Sequence, residues 1–168
     1  MKYPQFIAID GSSFEEHAHP VAIAWSQSDG QIKTTLIQPE DDWDDWDISL
    51  QDLHGINPDT LYQRGETAWS VMRELEHDLE QPYLFADDPV RVTELLEKLY
   101  DACSRDLSIE ISDCRDEWQD ANALDENELH HLPCDERVHG MLLAWAQVLQ
   151  DALLVLTRHT ASTPAMAL

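Results

Sequence analysis

The chain has 168 residues, a hydrophobic content of 43% and a formal net charge of −24, which predicts one folded domain with its own core. Its 34 acidic side chains outnumber 10 basic ones. Such a surface repels phosphate backbones, which argues against a broad nucleic-acid groove. No stretch resembles a signal peptide or a membrane span, so we expect a cytoplasmic protein without a membrane partner. The three cysteines lack metal-site or redox spacing, which favours free thiols.

The first predicted element is a buried strand over residues 6–12, in which an apolar run ends at Asp10. A second strand follows at 21–26, and an Asp-Gly pair at 29–30 predicts a hairpin into a third strand at 31–38. Short connections of this kind make the three strands antiparallel. Because sites in α/β sheets gather outside the carboxyl ends of strands, Asp10 is either the first residue of a site or a turn residue.

An acidic loop over residues 39–47 separates these strands from the first predicted helix. The loop holds six carboxylates and two tryptophans, which is typical of a solvated face with aromatic anchors. A cation site there is the weaker alternative, since the spacing and the glycine of an EF-hand are missing. The hydrophobic pattern then predicts a helix over 66–80 and a short strand over 83–86.

The second half of the chain alternates helix and strand. Asp88 and Pro89 are typical of the N-cap and the first residue of a helix, whose inward stripe begins at Val92. A strand over 107–111 and a last helix from about Asp135 follow. The small, polar residues 160–168 form a tail, so the domain is predicted to span residues 1–159.

The order β-β-β-α-β-α-β-α predicts an α/β fold with a mixed five-stranded sheet, three strands antiparallel and two parallel, and helices on both faces. The fourth strand is expected beside the first. Asp10 would then share one crevice with Asp87 or Asp88 at the carboxyl ends of the strands.

Four stretches carry a family resemblance in chain order: residues 7–10 (IAID), residues 20–25 (PVAIAW), residues 54–56 (HGI) with the tryptophans before them, and His130 followed five residues later by Asp135. Together they resemble the DEDDh 3′–5′ exonucleases. This ribonuclease H-like family includes ribonuclease T, oligoribonuclease and the proofreading subunit of DNA polymerase III.

The resemblance implies a two-metal nuclease, in which carboxylates hold Mg²⁺ or Mn²⁺ and a histidine activates the attacking water. It implies Asp10, His130 and Asp135 as catalytic residues, with the two aspartates as metal ligands. Ser12 and Val92 stand where the family has carboxylates. The nearby carboxylates that could substitute for them are Glu15, Glu16, Asp87 and Asp88.

Each candidate also has a structural interpretation. Asp88 is typical of a helix cap, and Asp135 is typical of a first-turn acid that favours the helix dipole. His130 fits a surface position next to another histidine, and the His17-x-His19 pair fits a polar loop as well as a metal pair.

Two functions remain open from the sequence. The first is an exonuclease-like protein with a degenerate site, weakly active or inactive on short or single-stranded nucleic acid ends, using Mg²⁺ or Mn²⁺ if active and no cofactor otherwise. The second is a catalytically dead acidic module that engages a basic protein partner. The oligomeric state is left open as well.

Overall fold

The computed structural model describes residues 2–49, 55–117 and 132–161, with side chains up to residue 147 in the last segment. The strands are β1 (Ile7–Gly11), β2 (Pro20–Ser26), β3 (Ile32–Leu36), β4 (Tyr83–Ala86) and β5 (Glu110–Asp113). The helices are α1 (Pro58–Arg64), α2 (Ala68–Asp78), α3 (Pro89–Ala102) and α4 (Cys134–Ala161), with a 3₁₀ turn at Cys114–Glu117. No helix of the described part is long and apolar enough to cross a membrane.

Strands β1, β2 and β3 form the predicted antiparallel meander. Ile7 lies opposite Trp25 and Asp10 opposite Ala22, with a register shift between Asp10 and Gly11. The predicted Asp-Gly turn joins β2 to β3, and Gly30 has a φ of 88°, a conformation that suits glycine. The shift is a local irregularity at the end of β1, after which Gly11 still pairs with Pro20 and the Ser12 N–H donates to the carbonyl of His19 at 2.9 Å.

The predicted single five-stranded sheet is wrong, because the strands form two sheets. Strands β4 and β5 pair in parallel as a separate two-stranded sheet. One parallel bridge, between Phe6 and Phe85, places β4 beside the start of β1. Beyond that bridge the carbonyl of Ile9 accepts a hydrogen bond from Arg137 at 3.0 Å. At this part of the edge of β1, the backbone carbonyl is therefore hydrogen-bonded to a side chain and not to a neighbouring strand.

Local signals located most elements correctly. Asp88 caps α3 by accepting from the backbone N–H of Arg91, and Pro89 is the first helical residue. The helix predicted over 66–80 is α2, which begins one residue after its N-cap Thr67. The expected strand at 107–111 is β5, shifted toward the C-terminus. Helix α1, capped by Asn57, has no counterpart among the predicted elements.

Helices cover both faces of the β1–β2–β3 sheet, as predicted. The side chains of Ile7 and Ile9 pack in one cluster with apolar residues of α2 and α3. The intervening Phe6 and Ala8 point to the opposite face, where they pack against Val138 and other residues of α4. The alternation along β1 therefore buries the strand between two helical layers and leaves only its carboxyl end to carry polar groups.

Candidate functional site

Three strands end on aspartates at one edge of the fold. Asp10 is the second-last residue of β1, Asp87 follows β4 directly, and Asp113 ends β5 opposite Ala86. Because β1 runs parallel to β4 at their bridge and β4 runs parallel to β5, these carboxylates lie at the carboxyl ends of their strands. This is the position at which sites of α/β sheets gather, and both Asp10 and Asp87, which were predicted to share one crevice, lie at this edge.

Both carboxylate oxygens of Asp10 are bonded to α4. Oδ2 accepts from the backbone N–H of Cys134 at 3.0 Å, and Oδ1 accepts from Arg137 Nη2 at 2.9 Å. Cys134 is the first residue of α4, so Asp10 caps this helix from a distant part of the chain and faces the positive end of its dipole. Burial, followed by the negative charge of Asp10, raises the pKa of the Cys134 thiol, which stays neutral.

The guanidinium of Arg137 lies between two strand-end carboxylates. Its Nη1 is 3.7 Å from Asp87 Oδ2, in addition to the 2.9 Å contact with Asp10. The side chains of Asp10, Asp87 and Arg137 are largely buried, with exposed fractions of 14%, 8% and 12%. Among the described residues, Asp87 Oδ1 and Arg137 Nε have no hydrogen-bond partner. The arginine therefore compensates one of the two negative charges of the pair, and part of the hydrogen-bonding capacity of Asp87 and Arg137 stays unused.

The third strand-end aspartate has its own arginine. Arg115 Nη1 lies 2.8 Å and 2.7 Å from the two carboxylate oxygens of Asp113. The hydrogen bond to Asp113, and then the charges of Asp113 and Asp87, raise the pKa of Arg115. Two arginines thus stand among three aspartates at this edge.

Ser12 holds an acidic loop in place. Its hydroxyl and that of Ser13 donate to Asp45 Oδ2 at 2.7 Å and 2.6 Å. Ser12 is 1% exposed, and its carbonyl also accepts from the backbone N–H of Asp47 at 3.0 Å. Although burial opposes ionisation, the hydrogen bonds from Ser13 and Ser12 and the charge of His17 hold the pKa of Asp45 below its ordinary value. The position where a glutamate was expected is therefore an anchor for residues 39–47.

Two histidines complete this anchor. His17 Nε2 lies 2.8 Å from Asp45 Oδ1, and the buried His19 donates through Nε2 to the backbone carbonyl of Asp45 at 2.9 Å. The His19 ring stacks on Trp43 with centroids 5.4 Å apart. Burial lowers the pKa of His19 below 6.5, and the nearby charge of Lys98 acts in the same direction. The His17-x-His19 pair thus binds the acidic loop.

The other predicted site residues lie in different surroundings. Glu15 and Glu16 are exposed on the loop after β1, which Arg91 fastens to α3 through the carbonyls of Ser13 and Glu15. Asp88 acts as the cap of α3, and Val92 is buried in the core. Asp135 follows Cys134 in the first turn of α4, beside the amide that binds Asp10. His130 lies outside the described residues.

The donor set does not fit the two divalent cations that the resemblance implies. In residues 2–49, 55–117 and 132–147, no group of three or more His, Cys, Asp or Glu side chains could hold a metal ion. The two carboxylates that do converge, those of Asp10 and Asp87, have a guanidinium between them. A cationic side chain at that point repels a metal ion.

The sequence interpretation missed Arg137, Asp45 and Asp113. One signal was present for Arg137, because a basic residue near a helix N-terminus opposes the dipole and calls for an acid from elsewhere. Asp113 was missed because β5 was placed too early in the chain. Nothing local distinguished Asp45 from the other carboxylates of its loop.

Comparisons with known proteins show which solved structures have a similar fold. No protein-family model and no curated protein matches this chain. A product-bound structure of exonuclease I superposes with a TM-score of 0.63 at 14% identity, covering 88% of this chain and 43% of that one. The fold is similar to exonuclease I. The E. coli enzyme with a 5cy-dT13 oligonucleotide gives a TM-score of 0.62 at 15% identity, over 96% of this chain and 44% of that chain.

The zinc-bound form of the E. coli ExoI–ssDNA complex is similar to the same extent, with a TM-score of 0.62 at 14% identity, covering 95% of this chain and 43% of that one. This chain thus spans less than half the length of the solved structures it resembles. At this identity the comparison shows the fold and agrees with the exonuclease-type fold expected from the motifs.

Asp10→Ala is predicted to lower the free energy of unfolding by about 3–5 kcal/mol, because it leaves Arg137 buried without its carboxylate and α4 without its cap. Asp10→Asn, which retains an acceptor for the Cys134 amide, should cost less. Urea denaturation at pH 7 measures both, with the exposed Asp101→Ala as the control. If Asp10 instead faced other carboxylates without an arginine, its removal would relieve repulsion between like charges and leave the stability unchanged or higher. Such a result would contradict the ion pair between Asp10 and Arg137.

The stability should also depend on the protonation of His19. Because burial lowers its folded pKa below 6.5, the unfolded chain takes up the proton first as pH falls, and the free energy of unfolding falls below about pH 6.5 until the folded pKa is reached. His19→Gln should flatten this part of the profile, whereas the exposed His77→Gln should not. Denaturation curves between pH 5 and 8 test this, and equal profiles for the two variants would refute it.

Proposed function

We propose that this chain is an exonuclease-like protein of the ribonuclease H-like superfamily whose strand-end site is degenerate and does not hydrolyse nucleic acid. The observation that carries the proposal is the engagement of Asp10. Its carboxylate binds the Cys134 amide and the Arg137 guanidinium, so the residue that matches the first motif of the DEDDh enzymes holds a helix in place.

The chemistry explains why this arrangement is inactive. Two-metal phosphodiester hydrolysis needs two divalent cations that bridge the scissile phosphate, generate a hydroxide and stabilise the leaving oxygen. Mg²⁺ or Mn²⁺ would have to share the carboxylates of Asp10 and Asp87 with a guanidinium that lies 2.9 Å and 3.7 Å from them. Ser12, which donates its hydroxyl to Asp45, adds no negative charge there. With Arg137 between them, Asp10 and Asp87 keep one uncompensated negative charge, which is too little to hold two divalent cations.

The net charge of the whole chain also argues against hydrolysis of nucleic acid. Exonuclease I has been solved with single-stranded oligonucleotides, and short or single-stranded ends are the substrates that this fold suggests. At −24, with 10 basic residues, this chain releases few counterions on contact with phosphates. We infer that any binding of nucleic acid ends is weak at physiological salt.

A second candidate function is an acidic module that binds a basic protein. The specific observation is a cleft of about 800 Å³ beside α3, lined by Trp43, Lys98, Ala102 and six acidic residues. The acids come from the anchored loop, from the segment after β1 and from α3. These are Glu16, Glu40, Asp42, Glu94, Glu97 and Asp101. Lys98 donates to the backbone carbonyl of His17, so part of its hydrogen-bonding capacity is used within the fold.

No trimming of 5′-labelled single-stranded DNA or RNA is expected in Mg²⁺ or Mn²⁺ above the level of the Asp10→Asn variant. The physical reason is that the carboxylate of Asp10 is already paired with Arg137, whose positive charge repels metal ions from the carboxylates on which they would depend. Denaturing gels over several hours measure shortening, with circular dichroism confirming that the variant folds. Metal-dependent shortening that Asp10→Asn abolishes would show that the proposed degeneracy is wrong.

For the second candidate, a lysine-rich peptide is expected to bind with an affinity that falls as salt rises. Removing two cleft charges in Glu97→Gln/Asp101→Asn should weaken binding roughly 2- to 30-fold, since exposed ion pairs contribute about 0.2–1 kcal/mol each. The control Asp106→Asn/Glu110→Gln removes the same charge from exposed positions outside the cleft lining. Equal weakening of the two double variants in titration calorimetry would exclude the cleft as the binding site.

A further inference from the structure

We propose that an aromatic pocket at the amino ends of β1 and β4 binds the guanidinium group of an arginine residue in a basic peptide segment of a partner protein. The pocket has a volume of about 390 Å³ and lies at the end of β1 opposite to Asp10. The described residues that line it are all different from those that line the acidic cleft beside α3. The inference therefore goes beyond the proposed function and does not depend on the activity of the strand ends.

Four aromatic side chains from three segments of the chain line the pocket: Tyr3 before β1, Tyr83 and Phe85 of β4, and Trp145 of α4. The rings of Tyr3 and Trp145 meet edge to face, with centroids 5.2 Å apart and planes at 66°. Tyr83 and Phe85, which share one face of β4, also meet edge to face, at 5.7 Å and 74°. In such a pair, the ring that presents its edge keeps both of its faces clear of the other ring. Ring faces carry the negative part of the aromatic quadrupole and therefore attract a cation.

The rings are held in place by the fold. Tyr3 and Trp145 pack against the hydrophobic cluster that contains Phe85. The backbone N–H of Tyr3 donates to the carbonyl of Ser28 at 2.8 Å, and a Cβ at Gly30 would lie only 3.3 Å from the Tyr3 ring, so the hairpin turn after β2 lies directly beside this ring. A pocket whose walls are already ordered loses little conformational entropy when a ligand binds.

A carboxylate also lines the pocket and gives it a preference for cations. Glu80 accepts hydrogen bonds from Lys2 Nζ at 2.9 Å and from Ser28 Oγ at 2.8 Å, and these bonds hold the pKa of Glu80 below its ordinary value. The backbone N–H of Glu80 donates to Oε1 of the buried Gln5 at 3.1 Å, which fixes the position of the residue. A guanidinium donates to a carboxylate and stacks on an aromatic ring at the same time. An anionic ligand would be repelled by Glu80 and by the net charge of −24.

Lys2 is the cation with which a ligand competes for Glu80. The Lys2 side chain is 78% exposed and that of Glu80 is 41% exposed, and exposed ion pairs of this kind contribute little free energy. An incoming guanidinium replaces this ion pair and adds contacts with the aromatic rings. Lys2→Gln, which removes the competitor, is therefore expected to strengthen arginine binding by about 1.4- to 5-fold.

The test is an NMR titration of the nitrogen-15-labelled full chain with a capped tripeptide, glycyl-arginyl-glycine, in about 150 mM salt, which suppresses diffuse binding by the acidic surface. The indole N–H signal of Trp145, assigned with Trp145→Phe, should shift and saturate. The same tripeptide with citrulline in place of arginine has nearly the same shape and no charge. It should bind at least about 5-fold more weakly, because both the rings and Glu80 select the cation.

Two variants at partly exposed positions locate the binding. Tyr83→Leu should weaken arginine binding by about 2- to 30-fold, the range of a cation–π contact, and Glu80→Gln by about 1.4- to 5-fold. Circular dichroism checks that both variants fold. The controls are Trp69→Leu, which removes an exposed aromatic ring outside the pocket, and the cleft variant Glu97→Gln/Asp101→Asn. Both controls should bind the arginine tripeptide as the unmodified chain does.

Equal affinities of the arginine and citrulline tripeptides would overturn the proposal, since the pocket would then be apolar without selecting a cation. An unmoved Trp145 signal, or unchanged binding by both Tyr83→Leu and Glu80→Gln, would overturn it as well. Loss of binding in the cleft variant alone would place the peptide beside α3 and have the same consequence. Nuclease activity of the chain would reject the proposed function and leave this pocket unaffected, so the two failures are distinguishable.

Discussion

The ion pair between Asp10 and Arg137 joins two parts of the molecule that lie 127 residues apart in sequence. Asp10 ends the central strand, and Arg137 lies near the start of the last helix, with their charged atoms 2.9 Å apart and largely buried. A buried pair of this kind must recover the cost of removing both charges from water. Here the amide of Cys134 and the dipole of α4 supply further stabilisation of the carboxylate. This contact fixes the start of α4 at the end of β1, and apolar residues such as Val138 and Met141 pack the helix against the sheet.

The same contact occupies one of the carboxylates at the strand ends. The fold is similar to that of exonuclease I, and in this chain Asp10, Asp87 and Asp113 lie at the carboxyl ends of the strands. Arginines lie beside them where a metal-dependent enzyme needs unpaired carboxylates. Arg115 and Arg137 therefore compensate two of the three negative charges at the strand ends, and the net charge of −24 comes almost entirely from the rest of the chain.

A second set of contacts fixes where that surface charge lies. Ser12, Ser13 and His17 converge on Asp45, which holds the acidic loop against the end of β1. With the loop anchored, Glu40 and Asp42 stand on one side of a cleft whose other side is α3. A polar anchor at a strand end thus gives a fixed shape to a stretch whose composition alone indicates a solvated loop. Fixed charges in a concave surface focus the field more strongly than scattered ones.

The sequence by itself determined the local features of this protein. The buried strand ending at Asp10, the Asp-Gly hairpin and the Asp88–Pro89 helix start depend on neighbouring residues, so pattern and capping chemistry predicted them. Only the tertiary structure decided that β4 and β5 form a separate sheet and that Arg137 turns toward Asp10. These outcomes depend on contacts between residues more than 70 positions apart, such as Phe85 with Gln5 and Arg137 with Asp10. No local pattern encodes such a distance, because the free energy of each contact depends on where the whole chain has packed.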